Sequence, residues 1–127
     1  MYNLGYLLCR TDNKVAIIYD DKEYTYADID AFANRFASGL LNNGVKKGTR
    51  VAIMAENSPW FISAYLGILR IGAVAVLIST RLPSELVTYI EKNSEAVITL
   101  TDNNFNNYLS DKEFEPADTK ETDPALI

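Results

Sequence analysis

The central part of the chain alternates short apolar runs with segments of helical periodicity. The apolar runs occupy residues 51–55, 73–78 and 96–100. The segments between them, 59–71 and 83–92, each begin at a proline, which suits the first turn of a helix. Almost wholly apolar runs of this length are typical of parallel strands that are covered on both faces. Since the order is strand, helix, strand, helix, strand, the sequence predicts an α/β fold with helices packed on a parallel sheet.

A β-hairpin and one more helix are predicted ahead of this unit. Two β-prone runs, Val15–Tyr19 and residues 23–26, flank the polar letters "DDK". Thr25 and Asp28 have the spacing of a capping box, and Gly44 supplies a stop, so a helix is expected over 26–42. We assign its apolar positions to the core and its polar positions to the opposite face, the latter being Asp30, Asn34, Arg35 and Ser38.

Beyond residue 102 the pattern weakens into a polar stretch, with one short helix expected around 105–109. Six acids and two lysines lie between positions 111 and 123, a net charge of −4 out of the chain's −5. The acidity therefore belongs to this stretch and not to the predicted sheet. We divide the chain into an N-terminal α/β subdomain, residues 1–102, and an acidic loop that leads into the start of a truncated strand, residues 103–127.

Charge and composition exclude several classes of function. A net charge of −5 argues against nucleic acid or an anionic membrane surface as a partner, since both require basic patches. Cys9 is the only cysteine and histidine is absent, so the chain cannot form an internal disulfide, a Cys/His zinc site or a catalytic dyad that needs histidine. A reduced, cytoplasmic setting is expected.

One apolar stretch, residues 60–79, is long enough to cross a bilayer. A span there would place Arg70 near the hydrocarbon centre, at a cost of about 2.5–3.5 kcal/mol. Gly72 also divides the stretch into a helix-like half and a strand-like half. A buried helix that leads into a buried strand is therefore favoured, and no transmembrane segment is predicted.

Parallel sheets bind ligands beyond the carboxyl ends of their strands, so candidate site residues are expected there. The sequence offers Glu56, Asn57 and Ser58 after the first apolar run, Arg81 after the second, and "TDNN" after the third. A strand-to-helix turn capped by Ser58 accounts for the first group, and a single arginine is more often simply solvated. The glycines form neither GxGxxG nor GxxxxGK[ST]. We therefore assign no catalytic, cofactor-binding or metal-binding residue to this chain.

Three stretches resemble the N-terminal region of the adenylate-forming (AMP-binding) superfamily, which includes acyl-CoA synthetases, luciferases and non-ribosomal peptide adenylation domains. They are "YTYADID", "ANRFASGLLNNGVKKGTRVAIMAENSPWFISAYLGILRIGAVAV" and "LPSELVTYIEKNSEAVIT", and they fall within residues 14–101. The resemblance lies in their order and spacing. The chain departs from the family at Thr49, where Asp is usual, and at residues 77–79, where a proline is usual. These positions bear on the subfamily more than on the fold.

The resemblance implies an N-terminal fragment of an ATP-dependent acid–thiol ligase. Such an enzyme forms an acyl-adenylate from a carboxylic acid and ATP with Mg²⁺, and then passes the acyl group to coenzyme A. In the family, a D-P-A-x-I stretch leads into the phosphate loop, and this chain ends on "DPALI", so the fragment is expected to stop before the nucleotide site and to be inactive. It is also expected to self-associate through uncovered surface. The alternatives are an adenylation domain that loads a carrier protein and a stand-alone α/β interaction module.

Overall fold

The computed structural model describes residues 13–117. Cys9 and the strand start expected at the end of the chain lie outside these residues. The described part has the predicted α/β architecture, with a two-stranded antiparallel hairpin followed by a three-stranded parallel sheet. The strands are β1 (Val15–Tyr19), β2 (Lys22–Thr25), β3 (Arg50–Met54), β4 (Val74–Leu77) and β5 (Ile98–Thr101), and the helices are α1 (Tyr26–Asn42), α2 (Pro59–Arg70) and α3 (Ser84–Ser94).

The parallel sheet has the order β4-β3-β5, so β3 is central. Successive residues of β3 point to opposite faces, and both faces are covered. Val51 and Ile53 belong to the core beneath α1 and α2, whereas Ala52 packs with Val76 beneath α3. Coverage on both sides explains why the β3 run is almost wholly apolar.

The capping signals found in the sequence are present. Asp28 N–H donates to Thr25 Oγ1 (3.1 Å) and Thr25 N–H donates to Asp28 Oδ2 (2.9 Å), and α1 has the predicted bounds. Ser58 Oγ accepts from Phe61 N–H at the start of α2 (3.2 Å). The strand bounds differ from the prediction by one or two residues. The bounds of a strand are set by its pairing with neighbouring strands. Pairing with β4 extends β3 to Arg50, which lies opposite Val74.

The predicted polar face of α1 is wrong at three positions. Asp30 and Asn34 face Arg70, which lies at the end of α2 with none of its surface exposed, and Ser38 is also buried. Arg70 Nη2 lies 2.7 Å from Asp30 Oδ1, and Arg70 Nη1 donates to Asn34 Oδ1 (2.8 Å) and to the Asp30 carbonyl (3.1 Å). A buried guanidinium needs such partners, and α1 supplies them.

The described part of the acidic stretch packs along α1 and α2. Its short helix is a 3-10 turn, Phe105–Tyr108, in the predicted place. Phe105 is buried, with its ring 5.5 Å from that of Phe36. Ser110 N–H donates to the Arg35 carbonyl (3.0 Å), and Ala117 N–H donates to the Arg70 carbonyl (2.9 Å). Within residues 13–117, no helix has the length and hydropathy needed to cross a bilayer.

Candidate functional site

The candidate site residues that follow the three parallel strands meet at one edge of the sheet. Glu56 Oε1, after β3, accepts a hydrogen bond from Thr80 Oγ1, after β4 (2.8 Å). Asp102 Oδ2, after β5, accepts from the Glu56 N–H (3.2 Å). Glu56 therefore joins the ends of all three strands. The sequence did not predict this network. In it, the carboxylates of Glu56 and Asp102 hold together the carboxyl ends of the three strands.

The polar residues around this network hold local turns. Ser58 caps α2, as expected. Asn104 Oδ1 accepts from Thr101 N–H (2.7 Å), and Asn104 Nδ2 donates to the Thr99 carbonyl (2.9 Å). Thr99 Oγ1 also donates to Glu91 of α3. The letters "TDNN" thus form a turn closed by its own side chains, which agrees with a structural role.

An open cleft of about 400 Å³ lies beside the network, between the ends of β3 and β4. Its charged side chains are Glu56 and Arg81, and Phe61 and Leu77 contribute apolar surface. Arg81 is exposed, and its backbone N–H donates to Ser79 Oγ (3.2 Å). Its guanidinium could attract an anionic group, but the carboxylate of Glu56 opposes that attraction from the same cleft. In the described chain, no cluster of three or more Cys, Asp or Glu residues is arranged to hold a metal ion.

Glycine-rich loops bind the phosphates of ATP with a cradle of backbone N–H groups, so the places of the described glycines bear on this edge. Gly48 N–H donates to the Gly72 carbonyl (2.9 Å), and both residues lie near the amino ends of β3 and β4, away from this edge. Gly39 and Gly67 lie inside α1 and α2, where neighbouring backbone atoms leave no room for a side chain. None of these described glycines is available to bind phosphate at the carboxyl edge.

A second cavity, of about 290 Å³, lies between α1, the start of α2 and the 3-10 turn. Its walls include Phe32, Trp60 and Phe105, with Arg35 and Asp102 at its polar side. The Phe32 and Trp60 rings meet edge to face with centroids 4.9 Å apart. The apolar positions of α1 were assigned to the core from the sequence, which gave no sign of this cavity. Helical periodicity shows that such rings face inward but not whether they fill the space.

The model of the family described as AMP-binding enzyme matches residues 9–126, almost the whole chain. The chain belongs to the AMP-binding enzyme family. The predicted family and fold are therefore confirmed, and the described residues form the N-terminal α/β region of an adenylate-forming enzyme.

Two kinds of family member resemble the chain, peptide synthases and CoA ligases. It is 42% identical over 92 residues to a component of the linear gramicidin synthase of Brevibacillus parabrevis, covering 72% of this chain and 1% of that protein. It is 38% identical over 92 residues to the 3-hydroxybenzoate–CoA/4-hydroxybenzoate–CoA ligase of Thauera aromatica, covering 72% of this chain and 18% of the ligase. The chain thus spans less than a fifth of the length of either relative.

The fold is also found in a solved structure. The N-terminal subdomain of NpsA from Klebsiella oxytoca superposes with a TM-score of 0.87 at 23% sequence identity. The superposition covers 99% of this chain and 36% of the NpsA subdomain.

Proposed function

We propose that this chain forms the N-terminal part of an AMP-forming acid–thiol ligase, and that coenzyme A is the thiol acceptor. The observation that carries the proposal is the similarity to family members along almost the whole chain, including 38% identity to a CoA ligase. The chain spans only 18% of that ligase, so the activity is proposed for the whole protein and not for this chain.

The proposed reaction has two halves. A carboxylic acid and ATP, with Mg²⁺, give an acyl-adenylate and pyrophosphate, and the coenzyme A thiol then takes the acyl group and releases AMP. Residues 13–117 would carry no step of it, because their carboxyl edge lacks a phosphate cradle and its carboxylates are engaged in hydrogen bonds. Their role would be to provide a sheet and helices against which the rest of the ligase packs. We place the protein in the cytoplasm, a setting with which a single cysteine is compatible.

A second candidate is an adenylation domain that loads a carrier protein. The 42% identity to a component of a gramicidin synthase favours it. The first half of the reaction is the same in both cases, and only the acceptor thiol differs.

The test uses the complete product of the gene that encodes this chain. Acid-dependent exchange of pyrophosphate into ATP, measured with a panel of carboxylic acids, reports the first half-reaction. Mass spectrometry after addition of coenzyme A or a pantetheinylated carrier protein then identifies the acceptor. We expect exchange with at least one acid, and a thioester of coenzyme A. A thioester on the carrier protein alone would support the second candidate. A folded product without exchange for any acid would contradict both.

The isolated chain provides the matched control. We expect purified residues 1–127 to give background exchange with every acid, because no described residue is placed to hold ATP phosphates. Clear acid-dependent exchange by this chain alone would contradict its proposed role as a scaffold.

A further inference from the structure

The turn that ends α1 contains the one Asn-Gly pair of the chain, Asn43 and Gly44. In such a pair, the backbone nitrogen of the second residue can attack the side-chain carbonyl of the asparagine, and this reaction makes asparagine a thermolabile residue. Glycine favours the attack because it has no side chain to obstruct it and the freest backbone. Asn43 is exposed, so water reaches its amide. Among the asparagines of this chain, Asn43 therefore has the least hindered neighbour.

The structure holds this pair in a conformation that blocks the reaction. Asn43 has φ −99° and ψ 17°, which directs the Gly44 nitrogen away from the side chain, whereas ring closure requires that nitrogen to lie beside Cβ. The Gly44 N–H, whose proton must leave first, donates to the Leu41 carbonyl (3.1 Å). The side chain is held as well, since Asn43 Nδ2 donates to the Gly39 carbonyl (2.7 Å). The reaction therefore requires the end of α1 to open.

We propose that Asn43 is a deamidation site whose rate is set by the opening of the C-terminal end of α1. Once the turn is open, the Gly44 nitrogen loses its proton and forms a bond to Asn43 Cγ. The bond between Cγ and Nδ2 then breaks, Nδ2 takes up a proton and leaves as ammonia, and a succinimide ring remains. Water opens the ring at either carbonyl and leaves aspartate or isoaspartate. Water is the only other reactant, and nothing is oxidised or reduced.

The product does not fit the closed turn. A carboxylate cannot donate to the Gly39 carbonyl, and its charge lies at the C-terminal end of α1, where the helix dipole is also negative. The 3-10 turn packs at the same place, because the Tyr108 carbonyl lies against Gly39 and Asn42 Nδ2 donates to Ser110 Oγ (3.0 Å). Deamidation therefore loosens the end of α1 and the packing of the 3-10 turn on it.

Mass spectrometry of tryptic peptides measures the reaction on the whole chain. Cleavage after Arg35 and after Lys46 gives a peptide that contains Asn42 and Asn43, and fragmentation shows which of them has exchanged ammonia for water. At mildly alkaline pH, we expect deamidation at Asn43 to be about tenfold or more slower in the folded chain than in guanidinium chloride, because only the open fraction reacts. Equal rates in the two states, or no deamidation at Asn43 in the unfolded chain, would overturn the proposal.

A matched pair of substitutions tests the effect of the product on the turn. Asn43→Asp imitates the aspartate product, and Asn42→Asp places the same charge one residue earlier at the end of α1. At position 42 the Ser110 hydroxyl can turn and donate to the carboxylate, whereas at position 43 the Gly39 carbonyl can only accept.

Urea unfolding compares the two variants. Asn43→Asp should lower the equilibrium constant for folding about tenfold, and Asn42→Asp about threefold or less, because the dipole effect is shared and only the first variant loses its hydrogen bond. Equal losses, or no loss for Asn43→Asp, would show that the Asn43 side chain does not hold the turn closed, and would overturn the proposed control by the fold.

Discussion

Replacing Gly39 with alanine should destabilise the protein, although alanine is the better helix former. Gly39 lies within α1, where glycine costs about 1 kcal/mol relative to alanine. A Cβ atom at this position would lie 1.9 Å from the Tyr108 carbonyl oxygen and 2.3 Å from its carbon. These are backbone atoms of the 3-10 turn, so the turn must move away from α1 to admit a methyl group.

The cost follows from what the turn contributes where it packs. Displacement would expose Phe105, whose burial is worth about 1.5–3 kcal/mol. It would weaken the edge-to-face contact with Phe36, worth about 0.5–1.5 kcal/mol. If the turn shifts only partly, some of these contacts are kept. The higher helix propensity of alanine also restores about 1 kcal/mol of stability. We therefore expect a net loss of about 1–3 kcal/mol, in line with overpacked cores.

Urea unfolding followed by circular dichroism measures this loss. The control is Gly44→Ala, where no atom lies within 4 Å of the added Cβ and only the positive φ of 87° opposes the change. In a Phe105→Ala background, Gly39→Ala should cost less, because the turn has already lost its anchor, whereas the cost of Gly44→Ala should stay the same. A stabilisation of about 1 kcal/mol by Gly39→Ala, as at an exposed helical glycine, would refute the packing of the turn on α1.

Two further substitutions, one of them with a matched control, test other parts of the fold. Ser58→Ala should lower the free energy of unfolding by about 1 kcal/mol, because it removes the acceptor that caps α2; a loss below a few tenths would show that the cap contributes little. Arg70→Met should lower the free energy of unfolding by about 3 kcal/mol, because it leaves the Asp30 carboxylate without its buried partner. The loss should lie near the lower end of the range for broken buried ion pairs, since the Asp30 side chain is 18% exposed and keeps some contact with water. Arg35→Met, at an arginine 41% exposed and 3.0 Å from Asp111, should cost less than about 1 kcal/mol, and equal losses would contradict a special role for Arg70.

Local signals predicted the elements well. The capping box at Thr25 predicted the start of α1 and Gly44 predicted its end. The alternation of apolar runs with proline-initiated segments predicted β3, α2, β4, α3 and β5 in order. Each of these signals operates over a few neighbouring residues. Periodicity therefore locates an element without knowledge of what packs against it.

Features set by tertiary contacts could not be predicted in this way. In the sequence, Asp30 and Asn34 have the pattern of surface residues. In the structure they are hydrogen-bond partners of the buried Arg70, which is forty positions away from Asp30 in the chain. Gly39 looks replaceable until the Tyr108 carbonyl packs on it. At the candidate site, strand ends showed where to look, but the hydrogen bonds from Glu56 to Thr80 and Asp102 depend on which strands are neighbours.

The central claim is that this chain supplies scaffold to an adenylate-forming enzyme, and a chimera tests it most directly. The segment of the Thauera aromatica ligase that aligns with this chain over 92 residues would be replaced by this chain's own segment. Acid-dependent ATP–pyrophosphate exchange would then be measured on a chimera that unfolds in a single cooperative transition. We expect a rate within about tenfold of the parent ligase, since about 1.4 kcal/mol of misplacement would account for that difference. A cooperatively folded chimera with no exchange would contradict the claim, because it would place essential catalytic groups within the replaced segment.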